Sequence, residues 1–334
     1  MNIPKHSIVV PAYNTGAAIR KCVDSIVAQS FDDWELIIVD DGSKDTTPAI
    51  VDEYANTDNR IKAIHIPNGG VANARNVGLA AAHGKYVMFV DGDDWIEPDY
   101  LKQVENRMAD NADIYIVGIT QDHEATDGHI YYSEIKGAPI HRYISHDDLP
   151  SEIGYLLNTM NMESSCLKSY RTSFLREHRI QFLKGMIVFE DFYFVLQCLL
   201  HRPSICLIPF IGYHYRMELS YNPVVRRGFR ELYPSVSNLF QALNDVDNTL
   251  SLTEYSHMQV MKTMASKIAV VLCQSNNAST WAERKKPFKQ IMGDATLHAN
   301  INDILHYAGG RFRLQYKFMQ RGLYGLAYLL YKYI

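Results

Sequence analysis

The sequence predicts an α/β protein: a doubly wound, mostly parallel sheet followed by a helical C-terminal region. Three observations carry that expectation. Unbroken apolar runs alternate with helix-period segments four times in the first third of the chain. Polar residues stand directly after three of those runs. From Arg226 onward the apolar residues recur at helical spacing only.

The elements follow in order. Ser7-Ile8-Val9-Val10 reads as a short strand that stops at Pro11, with Pro11-Ala12-Tyr13-Asn14 as a turn. Ile19, Cys22, Val23, Ile26 and Val27 share one face of a helix. Glu35 to Val39 is a second buried strand, ending in Asp40-Asp41-Gly42-Ser43. Asp45 or Thr46 can cap the next helix, with Pro48 in its first turn. Arg60 to Ile66 is a weaker strand. Asn68-Gly69-Gly70 is a loop, and Val71 to His83 an alanine-rich helix. Gly84 is expected to close that helix in the left-handed conformation. Tyr86 to Val90 is apolar throughout, as in a strand buried on both faces, and runs into Asp91-Gly92-Asp93-Asp94. Asp113 to Ile119 is another strand. Thr120 to His146 is polar and patternless, which predicts a loop or a small insertion. Asp147 to Met160 reads as a helix, Glu190 to about His201 as another, and Ile205 to Tyr215 as a strand. The division expected is 1–216 and 217–334.

A net charge of -4 gives no global reason to bind nucleic acid. Five scattered cysteines without CxxC spacing argue for a reducing compartment. The polar start has no signal-peptide core, and no apolar run is long enough to span a bilayer. A cytoplasmic location is expected.

In a parallel sheet the three polar clusters share one rim, where ligands of such sheets bind. Asp91 and Asp93 can aim oxygens at one divalent cation, or form a solvated turn. Asp40 or Asp41 can accept from a base N–H, or serve as a turn acid. Arg75 can meet a phosphate, a base or a surface carboxylate. Glu190-Asp191 lies between Phe189 and Phe192, where partial desolvation raises a carboxyl toward the range of a general base; simple placement at a helix N-terminus is the alternative. No GxGxxG follows the first strand, and in Gly84-Lys85-Tyr86 a tyrosine stands where a P-loop requires Ser or Thr.

Taken together, Pro11-Ala12-Tyr13-Asn14, Val39-Asp40-Asp41-Gly42-Ser43, Asn68-Gly69-Gly70, Ala74-Arg75-Asn76-Val77-Gly78, Asp91-Gly92-Asp93-Asp94 and Glu190-Asp191 resemble the ordered signature of family 2 glycosyltransferases of the GT-A fold. The resemblance covers about Ser7 to Arg216. Cys166-Leu167-Lys168 and Ile180-Gln181-Phe182 resemble the bacterial surface-polysaccharide members. It implies donor-nucleotide contacts from Pro11, Tyr13, Asn14, Asp40, Asp41, Arg75, Asp91 and Gly92, with Asp40 on the uracil. It implies Asp93 on Mg²⁺ or Mn²⁺, Asp91 on the ribose or the metal, and Asp191 as catalytic base. The donor implied is a UDP-sugar and the acceptor a glycan or polyprenyl-linked saccharide. Thr15-Gly16 departs from the pattern, where an acid is common. Two rivals are a sugar nucleotidyltransferase, which should carry a glycine-rich loop after its first strand, and an inactive nucleotide-sugar-binding scaffold.

The region 217–334 is expected to associate with a membrane or to form a homo-oligomer. Arg311, Arg313, Lys317, Arg321 and Lys332 mix with aromatic residues and no acid from residue 311 to the end. That composition suits a helix lying on the inner face of a membrane, or a packed helix with its basic side in water.

Overall fold

The computed structural model describes residues 3–107, 111–124, 129–218, 229–274, 289–323 and 327. Strands β1 (His6–Ala12), β2 (Trp34–Asp40), β3 (Ile61–His65) and β4 (Tyr86–Phe89) form its parallel half, in the order β3-β2-β1-β4. Helices α1 (Ile19–Val27), α2 (Thr47–Thr57) and α3 (Val71–Ala81) make the crossovers. Every residue of β1 and of β4 is buried, as the continuous apolar runs require. Full burial of a side chain such as Phe89 is worth about 1.5–3 kcal/mol. Gly78 lets α3 lie directly on β1: a Cβ there would stand 2.2 Å from Val9 Cγ1.

Beyond β4 the sheet continues through β9 (Lys168–Arg171), β6 (Ile114–Glu124), β10 (Ile205–Glu218) and the two-residue β5 (Trp95–Ile96). β9 is antiparallel to both β4 and β6, so β6 and β10 run in the direction of β4. β7 (Ile130–Lys136) pairs with β6, and β8 (Arg142–Ile144) with β10. Between them lie α4 (Tyr100–Glu105), α5 (Leu149–Thr159), α6 (Thr172–Glu177) and α7 (Glu190–Leu200). Helices α8 (Phe229–Leu250), α9 (Glu254–Gln274), α10 (Ala295–Tyr307) and α11 (Gly310–Gln320) complete the described chain. α8 packs on α7 and α9 on α5. Buried residues of both parts of the chain belong to one continuous core.

Three local expectations are corrected. First, Pro11 lies inside β1, paired with Val39. The ladder between β1 and β4 ends at Val9, whose carbonyl accepts from Val90 N. Pro11, two residues on, points the same way, so its missing N–H costs no sheet bond. Second, Gly84 does not close α3, which ends at Ala81 with an extended Ala82. Gly84 is there for close approach: a Cβ would stand 2.5 Å from Ser7 N, and Gly84 N donates to Ser7 Oγ at 2.7 Å. Third, the polar stretch from Thr120 holds the end of β6, all of β7 and β8. β7 is an edge strand with nearly every residue exposed, so no apolar alternation marked it.

α11 buries Gln315, Tyr316 and Met319, while Arg311, Arg313, Lys317 and Arg321 are exposed. Residues 324–326 and 328–334 of the expected interfacial segment lie outside the described residues. Among the described residues, no helix is long and apolar enough to cross a membrane.

Candidate active site

The ends of β1, β2 and β4 meet at one rim, as a parallel sheet demands. The loops there are tied to one another by backbone donors. Asn14, at φ 52°, gives its N–H to Ser43 Oγ at 2.9 Å, and its Oδ1 accepts from Lys44 N at 2.8 Å. Gly16 N donates to Asp45 Oδ2 at 2.9 Å. A Cβ on Gly16 would stand 2.3 Å from Thr46 Oγ1, so the glycine admits the neighbouring loop. Asp45 Oδ1 accepts from Thr47 N at 3.0 Å, so its carboxylate is engaged in tying the two loops. Asn14 stitches the rim together, while Tyr13, half exposed, faces the opening.

Between these loops and the segment before α7 lies a cavity of about 290 Å³, lined by Pro11, Ala12, Tyr13, Asp41, Asn68, Gly70, Val71, Ala74, Met186 and Ile187. Of the neighbouring acids only Asp41 reaches it. The Asp41 oxygens also accept from Gly69 N and Gly70 N, each at 2.8 Å, fixing the floor of the pocket. Asp40 points away. Its oxygens meet Ser43 N at 3.0 Å and His65 Nδ1 at 3.0 Å. Burial works to raise the Asp40 pKa, but the bonds to His65 and Ser43 outweigh it and hold the carboxyl below its ordinary value.

Arg75 is not at the cavity wall and makes no surface pair. It is buried on α3, with Nη2 2.7 Å from Asp91 Oδ1 and Nη1 2.5 Å from Asp191 Oδ1. Glu190 Oε1 lies 3.3 Å from the same Nη1. Asn76, one residue on, exchanges two hydrogen bonds with the backbone of Phe182, at 2.8 and 2.9 Å. α3 therefore carries both the cation and the clamp that brings the segment before α7 into place.

Asp191 sits in the first turn of α7, behind Phe189 at φ 62°. Its Oδ1 also accepts from Ser165 Oγ at 3.0 Å. Burial pushes its pKa up to about 7; Arg75 opposes the rise, and the charges of Glu190 and Asp91 add to it. Asp93 is exposed. Surrounding protein mass, then the charge of Asp91, raise its pKa to about 6. The Gly92 between them packs closely, with a Cβ position 3.2 Å from Pro11 O and from Ile19 Cδ1.

Several residues take parts here that the sequence did not assign to them. Asp94 is buried and accepts from Tyr213 OH at 2.6 Å and from Arg216 N at 2.9 Å. Tyr213 OH also receives Asp91 N at 3.2 Å. β10 thus anchors the acidic turn from a strand far along the chain. Lys168 is fully buried and donates to Asn161 O and Ser164 O, and burial lowers its pKa to about 7.

Asp91 and Asp93 offer hard oxygen donors, which suit Mg²⁺ or Mn²⁺. Among the described residues no group of three or more His, Cys, Asp or Glu side chains is arranged to hold a metal ion. Two carboxylates with the remaining positions filled by phosphate oxygens and water is the usual Mg²⁺ arrangement at a phosphate site, so the donor set fits.

A sequence model described as Glycosyl transferase family 2 matches residues 7–179, more than half of the chain. The chain belongs to glycosyltransferase family 2. It is 33% identical over 292 residues to EpsH of Bacillus subtilis (strain 168), described as a glycosyltransferase, covering 85% of this chain and 80% of EpsH. It is 26% identical over 319 residues to the poly(ribitol-phosphate) beta-N-acetylglucosaminyltransferase TarS of Staphylococcus aureus (strain MW2), covering 91% of this chain but 53% of TarS. The fold is that of the S. aureus TarS crystal structure, with a TM-score of 0.73 at 20% identity over 98% of this chain and 55% of TarS. A shorter TarS structure in complex with UDP-GlcNAc superposes with a TM-score of 0.67 at 20% identity, covering 98% of this chain and 90% of that one. The central sheet and its crossovers are accordingly the GT-A fold of this family.

Proposed function

We propose that this family 2 glycosyltransferase is inverting and metal-dependent, and moves a sugar from a UDP-sugar to a hydroxyl of a glycan or lipid-linked saccharide in surface polysaccharide synthesis. The observation that carries the reading is the placement of Asp191. A carboxyl with a pKa near 7 shares one guanidinium with the acidic turn after β4, and Met186 and Ile187, shortly before its helix, line the cavity at the ends of β1 and β2. UDP-GlcNAc bound to TarS supports a UDP-sugar as donor.

In this reading Asp191 takes the proton of the acceptor hydroxyl as its oxygen attacks the anomeric carbon. The bond from that carbon to the diphosphate oxygen breaks on the opposite face, and UDP leaves with the electron pair. One displacement inverts the configuration. Asp93 and Asp91 would hold a divalent cation, which would supply charge neutralisation to the leaving diphosphate. Tyr13, Pro11 and Asp41 hold the nucleotide base, and Ser165 and Arg75 aim the base carboxylate. Residues 1–216 carry this chemistry, and helices α8 to α11 support it. A second reading concerns placement: the exposed basic residues of α11 rest on an anionic membrane surface, bringing the rim to a lipid-linked acceptor.

Incubation with a panel of UDP-sugars and saccharide acceptors tests the reading. Release of UDP without pyrophosphate, together with a glycosylated product, is expected. Pyrophosphate as product would make the chain a nucleotidyltransferase, and tight UDP binding with no turnover of any donor would make it a scaffold.

A further inference from the structure

Asp191 depends on two chain segments that are not adjacent in sequence. One is its own helix start, entered through Phe189 in the left-handed conformation. The other is residues 163–165, from which Ser165 bonds its carboxylate. A single side chain touches both. Lys267, on α9 and only 6% exposed, donates to Glu163 Oε2 at 2.6 Å. Its Nζ also lies 5.2 Å from the ring centre of Phe189 and 6.0 Å from that of Phe192. An ammonium over an aromatic face within about 6 Å is attracted to the ring, the more so when desolvated. α8 helps from its own side, where Ser235 Oγ accepts from Ile187 N at 3.1 Å.

We propose that Lys267 is a positioning residue for Asp191, clamping the Glu163 and Phe189 segments together so that the C-terminal helices aim the catalytic carboxylate. The inference rests on Asp191 acting as the base. Lys267 touches neither nucleotide pocket nor acidic turn, so donor binding is separate from its effect. A misplacement of about 1 Å at the reacting group costs on the order of 100-fold in rate.

The test compares Lys267→Met, Lys267→Arg and Glu163→Gln in the full chain. Two measurements are made: amide hydrogen exchange without ligand, and UDP release from UDP-GlcNAc. Lys267→Met is expected to raise exchange at 163–166 and 189–192. Its kcat should fall roughly 10- to 100-fold with KM for UDP-GlcNAc unchanged. Lys267→Arg, which also bonds a carboxylate and stacks on rings, should recover most of the loss. Glu163 is half exposed, so Glu163→Gln spares the fold and should move both readouts the same way by less; it decides the matter if Lys267→Met does not fold. Unchanged exchange in the two segments, or a loss spread evenly over α8 and α9 with kcat and KM moving together, overturns the proposal. Raised exchange there with full kcat also overturns it, because the segments then loosen without misaiming the carboxylate; the base role itself is tested apart, by the loss of kcat in Asp191→Asn.

Discussion

Arg75 Nη1 lies 2.5 Å from Asp191 Oδ1, and the other terminal nitrogen of the same guanidinium holds Asp91 at 2.7 Å. One buried cation therefore joins the acidic turn after β4 to the first turn of α7. The fork of a guanidinium spans two carboxylates in a way an ammonium cannot. Its third neighbour, Glu190, leaves the cluster with more acids than cations, which is one reason Asp191 holds its proton so tightly.

Removing that cation should be costly. Arg75→Met leaves Asp91, Asp191 and Glu190 facing one another without compensation. Breaking a buried ion pair by deleting one partner costs about 3–5 kcal/mol. Urea denaturation should show a clearly lower midpoint at neutral pH, and Arg75→Lys should fall between the two. A wild-type midpoint for Arg75→Met would show that the network contributes nothing to stability.

The base assignment predicts a split between neighbours. Asp191→Asn should lose a factor of about 10² to 10⁴ in rate with UDP affinity almost unchanged, while Glu190→Gln stays far more active. The wild-type rate should rise with pH through about 7 and level off above it, because the base must be ionised. The sign for stability is opposite. The folded state binds this proton more tightly than the unfolded chain, so the contribution is fully present below about pH 4. It is lost as pH rises through about 7. A flat rate profile between pH 5 and 9, or a dead Glu190→Gln beside a live Asp191→Asn, would sink the assignment.

The parts of this arrangement legible in the sequence were those with a long-range rule behind them. Fully apolar runs such as Tyr86 to Val90 can only be interior strands of an α/β sheet, and parallel pairing then brings their polar ends together. What the sequence could not carry depends on single backbone turns and on distant partners. Which of Asp40 and Asp41 faces the pocket goes with their partners: Asp40 is held by His65 and Ser43, Asp41 by Gly69 and Gly70, and the chain reverses just beyond them at Gly42, φ 72°. β9 has only four residues, and its Lys168 is a basic residue yet wholly buried, so no pattern of apolar residues marks it. The link from Tyr213 to Asp94 joins residues whose proximity only the folded sheet creates.

That reversal gives a prediction for the nucleotide base. Asp41 lines the cavity, and Asp40 is turned toward His65 and Ser43. Calorimetry should find UDP bound more tightly than GDP. Asp41→Asn should weaken UDP by roughly 1–3 kcal/mol, the cost of leaving a buried polar partner unpaired, and Asp40→Asn by less. A larger loss for Asp40→Asn would restore the uracil contact to Asp40.

Metal dependence follows from the pair Asp91 and Asp93. Chelation with EDTA should abolish transfer, and Mn²⁺ or Mg²⁺ should restore it. Asp93→Asn should need far more metal for half-maximal rate. Both ligands must be ionised, so metal affinity should fall as pH drops below about 6, where Asp93 takes up a proton. Full activity of Asp93→Asn in EDTA would remove the metal from the reaction.

The basic side of α11 sets up the last prediction. Tyr316 and Met319 pack inward, which fixes the helix on the protein, while Arg313, Lys317 and Arg321 are exposed beside Leu314 and Leu323, each nearly half exposed. A helix anchored on one side and basic on the other can meet an anionic bilayer without unfolding. Each basic residue near such a surface contributes about 1 kcal/mol, and the attraction is screened by salt. The full chain should float with vesicles containing anionic lipid, float less at high salt, and stay down with neutral vesicles. Reversing the charge of Arg313, Lys317 and Arg321 to Glu should abolish flotation while leaving UDP binding intact, since none of the three lines the cavity at the rim. Equal flotation of the wild type and the charge-reversed chain would reduce α11 to a packed helix with its basic face in water.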